Sequence, residues 1–276
     1  MRAVLIGVTG RMGRELLHAA PGFAQLIITG AIASPASLAL GRDAGEVAGL
    51  GPLNLPVTSE LGRALTEADV AIDFSSPSAT RTNLRACRAA RKPLLICTTG
   101  FGAELDGELT SAARDIALLV AANTSIGVTL LLELVRIAAR ALPPGFDIDV
   151  LDVHHRLKQD APSGTALALG AAAREARRLP RSSRADAATA GEAGGGSSRA
   201  RTRREGEIGF AAVRAGDIVG EHTVLFAGPG EQLTLTHRAT DRGIFARGAL
   251  AAALWLQSQP PGRYTMGDIL GQKTGT

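Results

Sequence analysis

The residues best able to do chemistry sit together in Asp152-Val153-His154-His155-Arg156-Leu157-Lys158-Gln159-Asp160-Ala161-Pro162-Ser163-Gly164-Thr165. Two of the chain's five histidines meet an arginine and a lysine here. The stretch reads as the end of a strand, a polar loop, and a helix that starts at Ser163-Gly164-Thr165. Lys158 offers a compact positive charge or a proton. An imidazole titrates near neutral pH, and the amides of Gly164 and Thr165 at a helix start can grip a carboxylate. Together they suit the binding of a small anion coupled to proton transfer. Adjacent residues on a strand point to opposite faces, so His154 and His155 do not share an ion and no metal site is expected. A plainer account has Ser163 or Thr165 only capping the helix, with the basic residues in solvent. It explains each piece but not their concentration.

A second constellation opens the chain: Gly7-Val8-Thr9-Gly10-Arg11-Met12-Gly13 follows an apolar strand and leads into a helix. A phosphate must approach backbone closely, and a Cβ would obstruct it. Gly10 at the helix start exposes amides where the helix dipole also favours an anion, and Gly13 lets the helix pack close. The G-x-x-G-x-x-G spacing departs from the commoner G-x-G-x-x-G of dinucleotide folds, but its place after a first strand supports a nicotinamide dinucleotide. Arg11 stands either beside the phosphates or in solvent. A carboxylate at the end of the second strand would hold the ribose of NAD. The segment Gly30-Ala31-Ile32-Ala33-Ser34-Pro35 has none. Its absence removes a repulsion against the 2′-phosphate of NADPH, to which Ser34 can donate. The expected cofactor is NADPH or NADH, leaning to NADPH.

These groups need elements to position them. Ala3–Ile6, Leu26–Ala33, Val70–Phe74, Leu94–Thr98 and Ile116–Ala121 read as buried strands. They alternate with helical segments Gly13–Ala20, Ser59–Leu65, Ser78–Ala90 and Glu104–Arg114, a rhythm that signals a parallel sheet with helical crossovers. Polar clusters follow several strands: Ser75-Ser76-Pro77, Thr98-Thr99-Gly100 and Asn123-Thr124-Ser125. Ligands of open α/β sheets lie at such carboxyl ends. After Ser125 the rhythm changes to a helix at Val128–Ala141, a strand at Asp147–His155, a helix at Thr165–Arg178, and strands at Ile208–Arg214, Val219–Ala227 and Gln232–Ala239. A helix at Ile244–Leu256 returns to the first part. The expected fold is α/β: a Rossmann-like parallel-sheet domain, 1–125 plus 240–276, and a smaller α+β domain, 126–239, with a mixed or antiparallel sheet. Residues 180–204 are of low complexity and read as a flexible loop.

Composition narrows the function classes. Hydrophobic residues make up 45% and charged residues 20%, an ordinary globular balance. Cys87 and Cys97 fit neither a disulfide framework nor a metal spacing. The apolar start Val4–Val8 is too short for a secretory signal, and no run approaches the ~20 residues of a membrane span, so the cytoplasm is expected. The net charge is +4, but the arginines between Arg174 and Arg204 lack an aromatic stacking platform. They read as a solvated loop, not a nucleic-acid site. Two competing functions share the glycine loop. One is a non-catalytic NAD(P)-binding sensor, and the other an amino-acid dehydrogenase acting on aspartate or homoserine, neither of which needs the His-His-Arg cluster.

Taken as a set, these motifs resemble the dihydrodipicolinate (4-hydroxy-tetrahydrodipicolinate) reductases of the diaminopimelate route to lysine. The resemblance runs nearly end to end, through Gly7–Gly13, Asp73-Phe74-Ser75, Thr98-Thr99-Gly100-Phe101, Ala121-Ala122-Asn123, His154-His155-Arg156, Lys158, Asp160–Thr165 and Val213-Arg214-Ala215-Gly216-Asp217-Ile218-Val219-Gly220-Glu221-His222. It implies hydride transfer from NAD(P)H to a cyclic dicarboxylate, with His154 and Lys158 in the acid/base role. It places His155 and the Ser163-Gly164-Thr165 unit on the substrate carboxylates. Gly7, Val8, Thr9, Gly10, Arg11 and Met12, then Cys97, Thr98 and Thr99, then Ala121, Ala122, Asn123 and Thr124 are implied to line the dinucleotide site. A homotetramer joined through the sheets of the second domain is also implied. The chain departs from the family pattern at Ala33-Ser34, where an acidic residue and Arg are frequent, at Cys97, where Gly is common, and at Thr124, where Phe is frequent.

Overall fold

The computed structural model describes residues 1–179, 203–204 and 206–271. They form two compact units, Met1–Ile126 with Arg242–Thr276, and Gly127–Asp241.

In the first unit the elements run β1 (Arg2–Ile6), α1 (Arg11–Ala19), β2 (Ile27–Ile32), α2 (Ala44–Ala48), β3 (Val57–Thr58), α3 (Leu61–Thr66), β4 (Val70–Asp73), α4 (Pro77–Ala89), β5 (Leu94–Ile96), α5 (Asp106–Ala112) and β6 (Ala117–Val120). The second unit contributes α6 (Ile126–Ala141), β7 (Asp147–His154), α7 (Gly164–Ala176), β8 (Ile208–Arg214), β9 (Gly220–Gly228) and β10 (Glu231–Ala239). The chain then returns to the first unit with α8 (Gly243–Leu256), β11 (Gly262–Tyr264) and α9 (Met266–Ile269).

The first unit is a seven-stranded sheet in the order β11-β6-β5-β4-β1-β2-β3, with every pairing parallel. Parallel strands covered on both faces read as continuous apolar runs, which is why Ala3–Ile6 and Leu94–Ile96 are buried throughout. Leu5, Ile72, Leu95 and Leu119 face one core with Leu16 and Leu17 of α1 and Leu250 and Leu256 of α8. Val4, Ile6, Leu94, Ile96 and Leu118 face the other with Leu65 of α3, Leu84 of α4 and Leu109 of α5. The order reverses around β1, so the carboxyl ends of β1 and β4 open onto the switch point where such folds bind ligands.

The second unit is a four-stranded sheet in the order β10-β9-β7-β8. β8 runs parallel to β7, and β9 antiparallel to both β7 and β10, so the sheet is mixed. One face carries Ile148, Val150, Ile208, Val224 and Phe226 beneath α6 and α7, which supply Leu131, Val135, Leu169 and Ala173. The fold class read from the strand and helix rhythm is the one observed. The strand expected to include His155 ends at His154.

The flexible loop expected at 180–204 falls largely on residues outside the described ones. Where the arginine-rich stretch is described, it is not simply solvated. Arg203 pairs with Asp149 at 2.7 Å and donates to Ile148 O at 2.6 Å. Arg177 donates to Phe146 O at 2.6 Å. Both guanidiniums are thus used on backbone carbonyls of the second unit.

Candidate active site

The first unit holds the phosphate-binding geometry. Gly7 leaves β1 with φ +86°, and a Cβ there would lie 2.5 Å from Phe74 O, so only glycine fits. The Gly7 and Val8 amides both donate to Ile32 O, at 2.8 and 3.1 Å, stitching the loop onto β2. Gly10 is the N-cap of α1, but its amide turns back to Gly7 O at 3.0 Å. The outward donors therefore belong to the first turn of α1, at Arg11 and Met12. Gly13 serves a closer contact than helix-to-sheet packing: its Cβ would fall on the carbonyl oxygens of Val8 and Gly7. The helix is seated on the loop's own backbone.

At the carboxyl ends of β1, β2 and β4 lies a cavity of about 760 Å³, lined by Gly7, Thr9, Gly10, Ser34 and Ser75. Val8 is buried, Arg11 is exposed and Met12 is half-buried against the core. Arg63, from α3, lines the cavity together with Ser34. It was not singled out from the sequence, because nothing local ties a residue of the third helix to the end of the second strand. The absence of a Cβ at Gly7 and Gly13, the α1 terminus and the cavity's size fit a dinucleotide.

The other expected cofactor residues are placed less directly. Asp73 is fully buried and accepts from Ser75 N at 2.8 Å, Asn83 Nδ2 at 3.0 Å and Thr98 Oγ1 at 3.3 Å. This carboxylate fastens the ends of β4 and β5, and it turns the Thr98 hydroxyl inward. Cys97 is buried, and burial first, with the Asp73 charge second, holds its thiol well above the usual range. Thr99 and Ala122 are exposed and Ala121 is buried. Asn123 Oδ1 accepts from Ser125 N at 2.9 Å, and Thr124 Oγ1 donates to Phe245 O at 2.6 Å. The Thr98 and Thr124 side chains thus face protein, leaving backbone as their means of meeting a ligand.

The second unit gathers the acid/base cluster. β7 alternates so that Asp152 and His154 point into the unit, both buried, while His155 begins the loop and is half-buried. His155 O accepts from Lys158 N at 3.1 Å in a turn that presents Lys158, whose ammonium pairs with Asp160 at 2.8 Å. The loop ends at Ser163, which is buried and caps α7 by accepting from Ala166 N at 3.2 Å. Its hydroxyl is used internally, so the capping account holds for Ser163 itself. Gly164 is exposed at the helix start.

The organising group is Asp152. Its Oδ2 accepts from Ser163 N at 2.8 Å and from Arg214 at 2.9 Å. Its Oδ1 lies 2.9 Å from His154 Nδ1 and 3.3 Å from His222 Nε2. Burial alone would raise its pKa, but hydrogen bonds from His222, Arg214 and Ser163 outweigh burial and hold the carboxyl well below its usual range. His154 is pushed the other way, down to about 4, chiefly by burial and despite Asp152. At neutral pH it is an uncharged imidazole. Arg214, at the end of β8, also donates to Asp160 O at 2.6 Å, clamping the loop from outside.

Asp152, Arg214 and His222 carried no role in the sequence reading, since they come from three strands and meet only through the sheet register, in which Asp152 pairs with His222. Asp152, His154 and His222 present ligand-type atoms within 4.8 Å of one another. The Arg214 guanidinium on the other oxygen and the nearby Lys158 charge already supply positive charge to this cluster.

Known proteins share this chain's sequence and fold over nearly its whole length. The family model for the N-terminus of dihydrodipicolinate reductase matches residues 1–124, and the one for its C-terminus matches residues 127–270. A 4-hydroxy-tetrahydrodipicolinate reductase of Alkalilimnicola ehrlichii is 47% identical over 270 residues, covering 98% of each chain. One from Beijerinckia indica subsp. indica is 43% identical over 271 residues, covering 98% of this chain and 97% of the relative. In three dimensions, a dipicolinate-bound dihydrodipicolinate reductase from Paenisporosarcina sp. TG-14 superposes with a TM-score of 0.76, covering 96% of this chain and 97% of that one. At 23% identity, that likeness is one of fold. With both parts of its length matched in sequence, the chain belongs to the dihydrodipicolinate reductase family.

Proposed function

We propose that the chain is a 4-hydroxy-tetrahydrodipicolinate reductase, reducing a cyclic dicarboxylate to tetrahydrodipicolinate with hydride from NAD(P)H and a proton, the 4-hydroxyl leaving as water. The observation that carries the reading is the loop from His154 to Gly164. It places a lysine ammonium and a neutral imidazole on the segment that leads into a helix start. When bound, the reduced nicotinamide supplies the hydride. The chain's residues bind and protonate. His155 and the first-turn amides of α7, from Gly164 and Thr165, hold the carboxylates. Lys158, the cation of the loop, gives a proton to the carbon beside the one reduced. His154, uncharged at neutral pH, accepts or passes a hydrogen bond in that transfer.

NADPH is the preferred form on this reading. Ala33 and Ser34 stand where a ribose-binding carboxylate would repel a 2′-phosphate, and Arg63 lines the same cavity. Loss of reduced-nicotinamide absorbance, followed with the dihydrodipicolinate-synthase product, tests both statements. Turnover is expected with NADPH and NADH, with the lower KM for NADPH. No turnover with either would leave a dinucleotide sensor as the better account, and a lower KM for NADH would reverse the preference.

The enzyme acts as a homotetramer in the cytoplasm on this proposal. The outward face of the four-stranded sheet carries Leu151 and Val213, 38% and 50% exposed, with Ala211 and Leu225 on the same face beside Thr223 and Glu221. Such a partly apolar, partly polar sheet face suits association with copies of itself. Sedimentation velocity is expected to show a tetramer, and Leu151→Arg to shift it to smaller species. A wild-type monomer would rule the assembly out. Both cysteines are free, and no helix among the described residues is long and apolar enough to cross a membrane.

A further inference from the structure

The carboxylate of Asp152 holds more of the site than any other group, and it reaches no solvent. One oxygen is taken up by the Ser163 amide that opens α7 and by Arg214 from β8. The other lies 2.9 Å from His154 Nδ1, close but off the alignment of a hydrogen bond, and 3.3 Å from His222 Nε2. Even off that alignment, a carboxylate oxygen 2.9 Å from Nδ1 in a buried setting favours a hydrogen there over a lone pair. A neutral ring then leaves its lone pair on Nε2.

The surroundings fix the ring as well as its hydrogen. His222 stacks edge-on against His154, with centroids 5.1 Å apart and planes at 70°. Gly220 leaves room at the far end, where a Cβ would come within 3.0 Å of His154 Nε2. His222 Nε2 also lies 3.1 Å from Ser163 Oγ, the oxygen that caps α7.

We infer that Asp152, steadied by His222, is the positioning residue of this reaction. It sets His154 as the Nδ1–H tautomer with Nε2 available to the proton transfer, and it locks the helix start that receives the substrate carboxylate. One buried charge thereby couples the proton-handling ring to the anion-gripping amides. The sheet makes this possible by pairing Asp152 directly with His222 across β7 and β9. The inference rests on the reductase reading for its kinetic consequences, but the tautomer does not depend on that reading.

The test uses the full chain, ¹⁵N-labelled, with long-range ¹H–¹⁵N correlation of the histidine rings, and the His154→Gln spectrum to assign His154. Wild-type His154 is expected as the Nδ1–H tautomer. In Asp152→Asn the amide oxygen is needed by Ser163 N and Arg214, so the NH2 faces His154 and the tautomer should invert to Nε2–H. With that inversion kcat is expected to fall on the order of 10²-fold, while KM for the dicarboxylate and dinucleotide affinity change little. His222→Phe should lower kcat, and His222→Gln, which restores a donor at the Nε2 position, should recover part of it.

Wild-type His154 found as Nε2–H, or a folded Asp152→Asn enzyme at the wild-type rate, would overturn the inference. If Asp152→Asn does not fold, the wild-type tautomer and the His222 pair still decide, since an unchanged rate in His222→Phe counts against it. Absence of turnover in the wild type would instead sink the reductase reading and leave the tautomer result standing on its own.

Discussion

Lys158→Ala is expected to lower kcat on the order of 10²- to 10⁴-fold while leaving the fold and dinucleotide affinity intact. Lys158 is half-buried, and its ion-pair partner, Asp160, is 59% exposed. Losing such a surface pair costs little stability, so the loss is chemical. Lys158→Arg keeps the charge but holds its proton too tightly to donate it, and should restore KM for the dicarboxylate more than kcat. His154→Ala should be slow for a different reason. It removes the neutral ring and leaves Asp152 facing a void, so some loss of stability will accompany it. Because burial holds His154 near 4, the ring is uncharged from well below neutrality upward. The profile of kcat/KM against pH should therefore lack a limb near 6.5 assignable to His154. Stopped-flow and steady-state kinetics across pH check each point. A Lys158→Ala enzyme that matches the wild type would remove lysine from the proton path.

The second large effect is expected at the glycine loop. In Gly13→Ala the new Cβ lands on the carbonyl oxygens of Val8 and Gly7, which are backbone and cannot rotate away. Overpacking of this kind costs about 1–3 kcal/mol. If the displacement falls on the loop, it weakens dinucleotide binding on the order of 10- to 100-fold. Gly10→Ala is the matched comparison, for its Cβ would meet only Gly7 O, at 3.2 Å. It should be clearly milder. Titration of reduced-nicotinamide fluorescence measures both. Equal affinities for the two variants would show that the helix seat is not what shapes the phosphate site.

Much of this was legible from residues alone, and the reasons differ by element. Apolar runs such as Val70–Asp73 and the glycine loop behind Ile6 are local signals, and they place the parallel sheet and its ligand edge. The short elements α2 and α9 lie below the length at which an apolar period shows. Each nevertheless announces itself chemically, Asp43 by accepting from the Gly45 and Glu46 amides and Thr265 by its reciprocal cap with Asp268. β3, two residues long, and β11, three, carry too little pattern to read. The acid/base loop stands out by density, because His154, His155 and Lys158 are close in the chain. Its organiser does not. His222 lies in a strand about which local sequence says only "alternating", and its meeting with Asp152 depends on a register set by β7 and β9 together. Arg63 is hidden for the same reason.

The first unit is not continuous in the chain, and this has a consequence for its birth. The face of the parallel sheet that carries Ile72, Leu95 and Leu119 is roofed in part by Leu250 and Leu256 of α8, and its outermost strand is β11. These segments leave the ribosome only after the whole of Gly127–Asp241. Until then the nascent sheet carries a partly bare apolar face and an unpaired β6 edge. The inner unit can complete its own core first, so the protein is synthesised with its middle finished before its beginning.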